Sequence, residues 1–176
     1  IQENTHEIDE IIKMIISVRK NRKTIFTMGN GGSGSTASHF VSDLQKTVIV
    51  KNENRIKAIS LVDNMPVILA WSNDVSFDKI FEEQLKNQVE KNDIVIAFSG
   101  SGKSKNIINA LKIAKKMGAK CIGFTGKTGG SFNAICDITF KVPSNDMLTI
   151  ESQHVTICHC IASTIRSLGK PMFEYD

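Results

Sequence analysis

Five short apolar segments constrain the fold more than any other feature of this chain. Each is rich in β-branched or aromatic residues and is followed by a turn and then by a helical pattern. Strands that are continuously apolar rather than alternating are buried on both faces, as in a parallel sheet between two helical layers. The sequence therefore predicts an α/β protein, a three-layer αβα sandwich with a five-stranded parallel sheet. The predicted strands cover 24–28, 56–61, 94–98, 120–124 and 137–142.

A helical pattern precedes the first strand and fills the longer intervals after it. The predicted helices cover 5–20, 35–46, 65–71, 77–89, 104–117 and 148–167. The first is amphipathic, with isoleucines at helical spacing, and we expect it to contribute to packing between subunits. The helix at 77–89 carries Phe77, Ile80, Phe81 and Leu85 on one face. We interpret this face as core packing rather than as a ligand site.

Length, composition and charge are those of an ordinary globular protein. A chain of 176 residues with 41% apolar and 23% charged residues suffices for one core, so we expect a single domain over 1–176. The formal net charge of +4 is spread over a mixed surface, without a basic stripe or interleaved aromatic residues. We therefore expect no nucleic-acid partner. A modest positive field would still favour a small anionic substrate.

Cysteine usage and hydropathy bear on the cellular compartment. Cys121, Cys136, Cys158 and Cys160 form no CxxC pair and lie in apolar segments, as reduced and buried thiols do. The sequence has neither an apolar run of about 18 residues nor a signal-peptide pattern. We therefore expect a cytoplasmic protein with no membrane partner.

Two glycine- and serine-rich loops follow predicted strands and precede predicted helices. GNGGSG at 29–34 fits the dinucleotide pattern GxGxxG. In that pattern an acidic residue about twenty residues further on, at the end of the second strand, binds the ribose, but here the second strand ends near Asp63, nearly thirty residues beyond Gly34. AFSGSGKS at 97–104 resembles a Walker A loop, which also needs an acidic residue at the end of a neighbouring strand to bind magnesium. The strand at 120–124 is followed instead by Thr125 and Gly126. We therefore expect neither loop to bind NAD or ATP.

The two loops are instead expected to converge on one phosphate site. Loops at the carboxyl ends of parallel strands lie where ligands of open α/β sheets bind. Ser99, Ser101 and Ser104 crowd one turn at the start of a helix, where free N–H groups and the dipole favour an anion. Serine hydroxyls also donate to phosphate oxygens. The pattern predicts a monophosphate on a small polar molecule, and serines that only cap a helix are the alternative.

Two predicted helices carry residues suited to catalysis or to metal binding. His39 and Asp43 are four residues apart just after the first loop, so they share one face of a helix. Glu151, His154 and His159 recur in the last helix, with Glu151 and His159 about 80° apart around its axis. Two histidines and two carboxylates suit a divalent metal ion, and they suit proton transfer equally well.

Taken in order along 24–165, these motifs resemble one known family. GNGGS with ASHF, SND before a Phe-rich helix, SGSGKSKN, FTGKTGG, ITFKVPS and IESQHVTICHCI are similar to the phosphoheptose isomerases of the SIS (sugar isomerase) group. The resemblance implies a flavodoxin-like SIS fold and a homotetramer with active sites between subunits. It also implies a Zn2+ cofactor, which several members carry. The implied reaction converts the sugar phosphate sedoheptulose 7-phosphate to D-glycero-D-manno-heptose 7-phosphate.

The resemblance also implies roles for individual residues. The family's catalytic acid corresponds to Asp43 and its catalytic histidine to His159. Its zinc ligands correspond to His39, Asp43, Glu151 and His159. Its substrate-binding positions, which hold the phosphate or line the sugar, correspond to Asn30, Gly31, Gly32, Ser33, Asn73, Asp74, Ser99, Gly100, Ser101, Ser104 and Glu151.

Four positions depart from the family pattern. Asp43 is one methylene shorter than the usual glutamate, and Glu151 replaces a common glutamine. Thr47 stands where an arginine is expected, although Lys46 is adjacent, and Gly100 stands where many members have threonine. The first two changes make the site more acidic, which favours a divalent cation. The change at Thr47 bears on recognition of the sugar.

Two other SIS functions fit the same motifs. A noncatalytic binding protein for a sugar phosphate keeps the loops but does not need Asp43 or His159. An isomerase of a different ketose phosphate shares every feature and differs only in its product. Because both residues are present, we expect ketose–aldose isomerisation through an enediol, with Asp43 as the base and His159 as the partner acid.

Overall fold

Strands and helices alternate along the chain in the predicted order. The computed structural model describes residues 5–173. Its strands are β1 (Thr24–Gly29), β2 (Lys57–Ser60), β3 (Ile94–Phe98), β4 (Lys120–Thr125) and β5 (Ile138–Lys141). Its α-helices are α1 (Thr5–Lys20), α2 (Gly32–Ser42), α3 (Met65–Asp74), α4 (Glu82–Gln88), α5 (Lys105–Lys116), α6 (Phe132–Ile135) and α7 (Met147–Ser167).

The five strands form one parallel sheet in the order β2-β1-β3-β4-β5. Successive residues of the central strand β3 face opposite helical layers. Ile94, Ile96 and Phe98 pack into the core formed with α1, α2 and α7. Val95 and Ala97 pack into the core formed with α4 and α5. The predicted three-layer αβα architecture is confirmed, because each face of the sheet is covered by helices.

Three helical segments differ from the prediction. Helix α2 ends at Ser42, and residues Asp43–Thr47 continue it as a π-helical turn. The predicted helix 77–89 divides into a 3-10 turn at Phe77–Lys79 and α4. The short helix α6 was not predicted, because a single turn is too brief to produce a hydrophobic period.

Two predictions about burial hold only in part. Ile80, Phe81 and Leu85 are core residues as expected, but the Phe77 side chain is half exposed and lines a surface cavity. Cys121 and Cys158 are buried, whereas Cys136 is half-buried and Cys160 is exposed. Burial raises the pKa of the Cys121 thiol to about 12, which makes it unreactive at neutral pH. Among residues 5–173, no helix is both long and apolar enough to cross a membrane.

His154 is a core residue of α7 rather than a catalytic one. Its side chain is fully buried between the rings of Phe98 and Phe124, each with its centroid 5.9 Å away. Its Nε2 atom lies 3.4 Å from the Thr125 carbonyl oxygen. Burial lowers the pKa of His154 from its ordinary 6.5 to about 4, although the Thr125 carbonyl opposes the shift. The imidazole is therefore neutral in the folded protein at pH 7.

Acidification is expected to destabilise the fold through His154. Between pH 6.5 and 4 the unfolded chain binds a proton at this imidazole and the folded chain does not. The contribution of neutral His154 to the free energy of unfolding is therefore complete above pH 6.5 and is lost as the pH falls towards 4. The loss amounts to about 3 kcal/mol across this interval. Urea unfolding at pH 7.5 and 4.5 measures it. In His154→Phe, which cannot titrate, the free energy of unfolding should fall less by about that amount; equal falls in both proteins would contradict the assignment.

Candidate functional site

The two predicted loops meet at the carboxyl edge of the sheet. Strands β1 and β3 are neighbours, and Gly29 pairs with Phe98, so both loops leave the sheet side by side. Reciprocal amide hydrogen bonds of 2.8 and 3.0 Å between Asn30 and Asn106 join the first loop to α5. The loops enclose a cavity of about 280 Å³ with the start of α7. We call it the serine cavity, and its walls are Asn30, Gly31, Gly32, Ser33, Ser99, Gly100, Ser101, Ser104, Met147 and Glu151.

The first loop needs glycine because β1 and α2 approach each other closely. A Cβ atom at Gly29 would collide with the Ser33 carbonyl and with the backbone of Gly34. Gly31 adopts φ 55° at the N-cap of α2, in the region that favours glycine. This compact turn brings the first N–H groups of α2 to the cavity, where they favour an anion.

Gly29→Ala is expected to lower the free energy of unfolding by at least about 3 kcal/mol, because only backbone shifts can relieve the collision with Ser33. Gly31→Ala is the matched control in the same turn. A Cβ atom there meets nothing within 4 Å, so the cost is that of the backbone conformation alone (φ 55°, ψ −127°), about 2 kcal/mol. Urea unfolding of both variants measures the difference. Equal losses would show that the close approach at Gly29 is not what fixes the turn.

The serines of the second loop are arranged to face a ligand. Ser104 is the N-cap of α5, yet its hydroxyl makes no capping hydrogen bond and lies 3.4 Å from the Ser99 hydroxyl. Ser99 accepts a hydrogen bond from the Gly102 N–H at 3.2 Å, and Ser101 accepts one from the Lys103 N–H at the same distance. The N–H groups at the start of α5 add a positive dipole end. Hydroxyls and amide groups thus converge as an anion requires.

Asp43 and two histidines form a compact cluster where α2 and α7 pack together. The Nε2 atoms of His39 and His159 are 2.7 Å apart. They lie 3.6 and 3.7 Å, respectively, from Asp43 Oδ2. Asp43 is buried, whereas both histidines are half exposed. The cluster is therefore open to a ligand on the histidine side and closed on the carboxylate side.

The cluster has the donor set of a metal site. The three possible ligand atoms of His39, Asp43 and His159 lie within 4.8 Å of one another. Asp43 Oδ2 is buried and has no hydrogen-bond partner within the described part of the chain. A buried carboxylate oxygen without a partner is costly, and a bound cation would remove that cost. Imidazole nitrogen and carboxylate oxygen are ordinary zinc ligands, so the residues present fit a zinc ion.

Thr47 fixes the orientation of Asp43 and was missed as a functional residue. Its Oγ1 hydroxyl donates to Asp43 Oδ1 at 3.0 Å, which leaves Oδ2 for the two histidines. The spacing of four residues was available in the sequence. Thr47 was noticed there only as a replacement for an arginine.

Glu151 lies with the serine cavity rather than with the histidine cluster. Its Oε1 atom accepts a hydrogen bond of 3.4 Å from the Ser33 hydroxyl, and its carboxylate lies directly over Gly32. Eight residues of α-helix separate Glu151 from His159, a rise of about 12 Å along α7. In this structure the predicted fourth metal ligand is thus apart from the other three. Its position suits an acceptor for sugar hydroxyls.

Asn73 and Asp74 lie away from both parts of the site within one chain. They end α3 as exposed residues, and Asn73 Nδ2 donates to Asp74 Oδ1 at 2.8 Å. Neither lines a cavity at the loops. Their predicted contact with the sugar remains a prediction.

A second and larger cavity, of about 640 Å³, shares Asn30 and Gly31 with the serine cavity. His39 and Ser38 of α2 form part of its wall. The facing wall is apolar and comes from β2's following loop, α3 and the segment before α4: Val62, Met65, Ile68, Phe77, Ile80 and Phe81. Helix α3 has no buried residue, although it is largely apolar. The site therefore opens onto an uncovered apolar surface.

Comparison with known proteins identifies relatives over most of the chain. Residues 1–126 match the model of the SIS domain. A phosphoheptose isomerase of Aliarcobacter butzleri is 38% identical over 159 residues, which cover 90% of this chain and 83% of the relative. A solved phosphoheptose isomerase of Francisella tularensis superposes with a TM-score of 0.87 at 30% identity, covering 93% and 86% of the two chains. A phosphoheptose isomerase of Neisseria gonorrhoeae gives 0.86 at 26% identity, covering 93% and 87%.

Proposed function

Since this chain belongs to the SIS-domain family of phosphoheptose isomerases, we propose that it is a sedoheptulose 7-phosphate isomerase. The reaction is the ketose–aldose isomerisation that yields D-glycero-D-manno-heptose 7-phosphate. One observation carries the proposal. The serine cavity shares Asn30 and Gly31 with a larger cavity, and the wall of that larger cavity includes His39 of the cluster formed by one carboxylate and two imidazoles.

The serine cavity binds the phosphate in this proposal. The hydroxyls of Ser99, Ser101 and Ser104 and the first N–H groups of α5 donate to the phosphate oxygens. Binding at this remote group holds the other end of the sugar at the cluster, so that part of the entropic cost of reaction is met on binding. Glu151 and Asn30, on the wall of the same cavity, accept hydrogen bonds from sugar hydroxyls.

Asp43 and His159 move the protons. Asp43 takes the proton from C1 of the ketose and returns it to C2 of the enediol. His159 carries the hydroxyl proton from O1 to O2, so that the sugar gains and loses no atoms. The geometry supports these roles, because Asp43 Oδ2 has no other partner in the described chain and the His159 imidazole lies 3.7 Å from it.

His39, Asp43 and His159 would hold a zinc ion, with Glu151 as the fourth ligand implied by the family. Zinc when bound supplies a Lewis acid that polarises the substrate carbonyl. Glu151 reaches the cluster only if its hydrogen bond with Ser33 breaks. The same carboxylate thus has two proposed positions, with the sugar or with the metal.

The uncovered face of α3 supports a homotetramer with active sites between subunits. Met65, Leu69, Val75 and Phe77 are each more than half exposed, and Met65 and Phe77 also line the apolar cavity. Exposed apolar patches on a protein mark sites of protein–protein contact or of ligand binding. The four free thiols are those of a reducing compartment, which supports a cytoplasmic enzyme.

Leu69→Glu should dissociate the assembly, because a carboxylate would be buried in the contact between copies. Light scattering during gel filtration measures the mass of the particle. Lys112→Glu on α5, which changes charge outside this face, is the control and should leave the mass unchanged. A tetramer that persists in Leu69→Glu would exclude this face of α3 as an interface.

Proton NMR of the anomeric region tests the proposed function directly. The purified protein, supplied with zinc, should convert sedoheptulose 7-phosphate to the aldose, and a chelator should stop the conversion. Conversion that a chelator does not affect would assign catalysis to Asp43 and His159 alone. Absence of any conversion would overturn the proposal. Other ketose phosphates in the same assay would then test for a different substrate. A different substrate is the first alternative, because Thr47 stands where the family has an arginine.

A further inference from the structure

The end of the described chain crosses back over the turn that carries Asp43. Two antiparallel backbone hydrogen bonds, of 2.8 and 3.0 Å, join residues 49–51 to residues 170–172. We call residues 169–173 the C-terminal strap. The segment that it covers, Val48 to Val50, is buried and directly follows the π-helical turn Asp43–Thr47. The strap therefore contacts the chain immediately beyond the catalytic cluster.

Arg166, in the last turn of α7, connects the strap to the π-helical turn. Its Nη1 donates to the Thr47 carbonyl at 3.3 Å, and its Nη2 donates to the Phe173 carbonyl. Carbonyls at the end of a helix lack partners within the helix and favour a nearby cation. The rigid guanidinium fork holds both acceptors in a fixed relation, which a lysine could not do. The Lys46 ammonium also lies 5.2 Å from the centre of the Phe173 ring.

The same turn transmits this constraint to the carboxylate. Thr47, whose carbonyl Arg166 holds, donates its hydroxyl to Asp43 Oδ1 at 3.0 Å. Oδ2 then faces the Nε2 atoms of His39 and His159. A continuous series of contacts thus runs from Phe173 through Arg166 and Thr47 to the Asp43 carboxylate.

We propose that Arg166 and the C-terminal strap are positioning elements of the active site, which hold the π-helical turn so that Asp43 Oδ2 stays aimed at the two histidines. This inference rests on the proposed role of Asp43. An aspartate has few torsions with which to correct a displaced backbone, so its reach depends on the turn itself. A displacement of about 1 Å can lower turnover about 100-fold. The π-helical turn is closed by i→i+5 hydrogen bonds, a rare geometry that occurs mostly as single turns and often at functional sites.

The rival explanation is that the strap only seals the core over Val48, Ile49 and Val50. Sealing would raise global stability without affecting the cluster. The two explanations differ in the role of Arg166, whose guanidinium donates to the carbonyl oxygens of Thr47 and Phe173. Removing the guanidinium should affect the cluster if Arg166 positions the turn, and only stability if the strap seals the core.

Arg166→Met, which keeps an unbranched apolar stem but removes the guanidinium, is the main test. In the metal-free protein, amide hydrogen exchange over residues 43–50 should accelerate at least tenfold while exchange in β3 stays unchanged. The visible absorption of added Co2+, which reports ligand geometry, should change. In the isomerase assay kcat should fall about tenfold or more and KM should stay within twofold, because the serine cavity is untouched. Arg22→Met removes an exposed guanidinium that contacts Asn54, and should behave as wild type.

Thr47→Val tests the last contact in the series, and it tests the proposal independently if Arg166→Met does not fold. It removes the donor to Asp43 Oδ1 while keeping the carbonyl that Arg166 binds. The Co2+ spectrum and kcat should change, with exchange over 43–50 near wild type. Wild-type spectrum and kcat in the folded variants would overturn the proposal, even if the melting temperature fell. If the wild-type protein isomerises no sugar, the proposed function fails, and exchange and Co2+ absorption still decide the role of the strap.

Discussion

Asp43→Asn is expected to lower kcat by about 1,000-fold while the protein stays folded. An amide cannot accept the proton from C1, and it is a poorer metal ligand than a carboxylate. The Thr47 hydroxyl can still donate to the amide oxygen, so the π-helical turn should keep its shape. Proton NMR of the isomerisation at saturating zinc and substrate measures kcat.

The same substitution has an opposite effect on stability, which separates chemistry from folding. Asp43 Oδ2 is buried without a hydrogen-bond partner in the described chain, and a neutral group at that position is less costly. At pH 8 without metal, Asp43→Asn should therefore be at least as stable as wild type in urea. Asp43→Glu, which restores the residue usual in the family, is the control that should retain turnover. Near-normal kcat in Asp43→Asn would remove Asp43 from the proposed base role.

The sheet and the meeting of the two loops were predictable because their signals are local. A buried parallel strand is recognisable from one apolar run, such as Ile94–Phe98, without reference to its neighbours. The meeting of the two loops followed from strand direction alone, since parallel strands place their carboxyl ends at one edge. The register of Gly29 with Phe98 is how the fold carries this out.

Three features were not predictable from the sequence: the position of Glu151 along α7, the π-helical turn and the exposure of Phe77. Glu151 and His159 are about 80° apart around α7, and a rise of about 12 Å along the helix places Glu151 at the serine cavity. Its role as a zinc ligand is implied by the resemblance alone and stays a prediction. The π-helical turn at Asp43–Thr47 needs only one extra residue per turn, which leaves no period in the sequence. Phe77 is apolar and half exposed, and the sequence did not reveal this because an apolar helical pattern is the same for a face in the core and for a face at the surface.

The two histidines of the cluster are expected to respond differently to substitution, although each contributes one imidazole nitrogen. His39→Ala and His159→Ala should each weaken zinc binding about 100-fold or more, because one of three converging ligands is lost. Competition with a chromogenic chelator measures the affinity. His6→Ala removes an exposed imidazole of α1 that is not part of the cluster and should bind zinc as wild type does.

Added zinc should then separate the ligand role from the proton-transfer role. At saturating zinc His39→Ala should recover a large part of the wild-type kcat, because Asp43 and His159 still carry the protons. His159→Ala should stay at least about 100-fold slower under the same conditions, because no imidazole remains to move the proton between O1 and O2. The NMR assay with zinc titrated into each variant measures this difference. Equal recovery of both would reduce His159 to a metal ligand, and the proton between the oxygens would have to travel by another group.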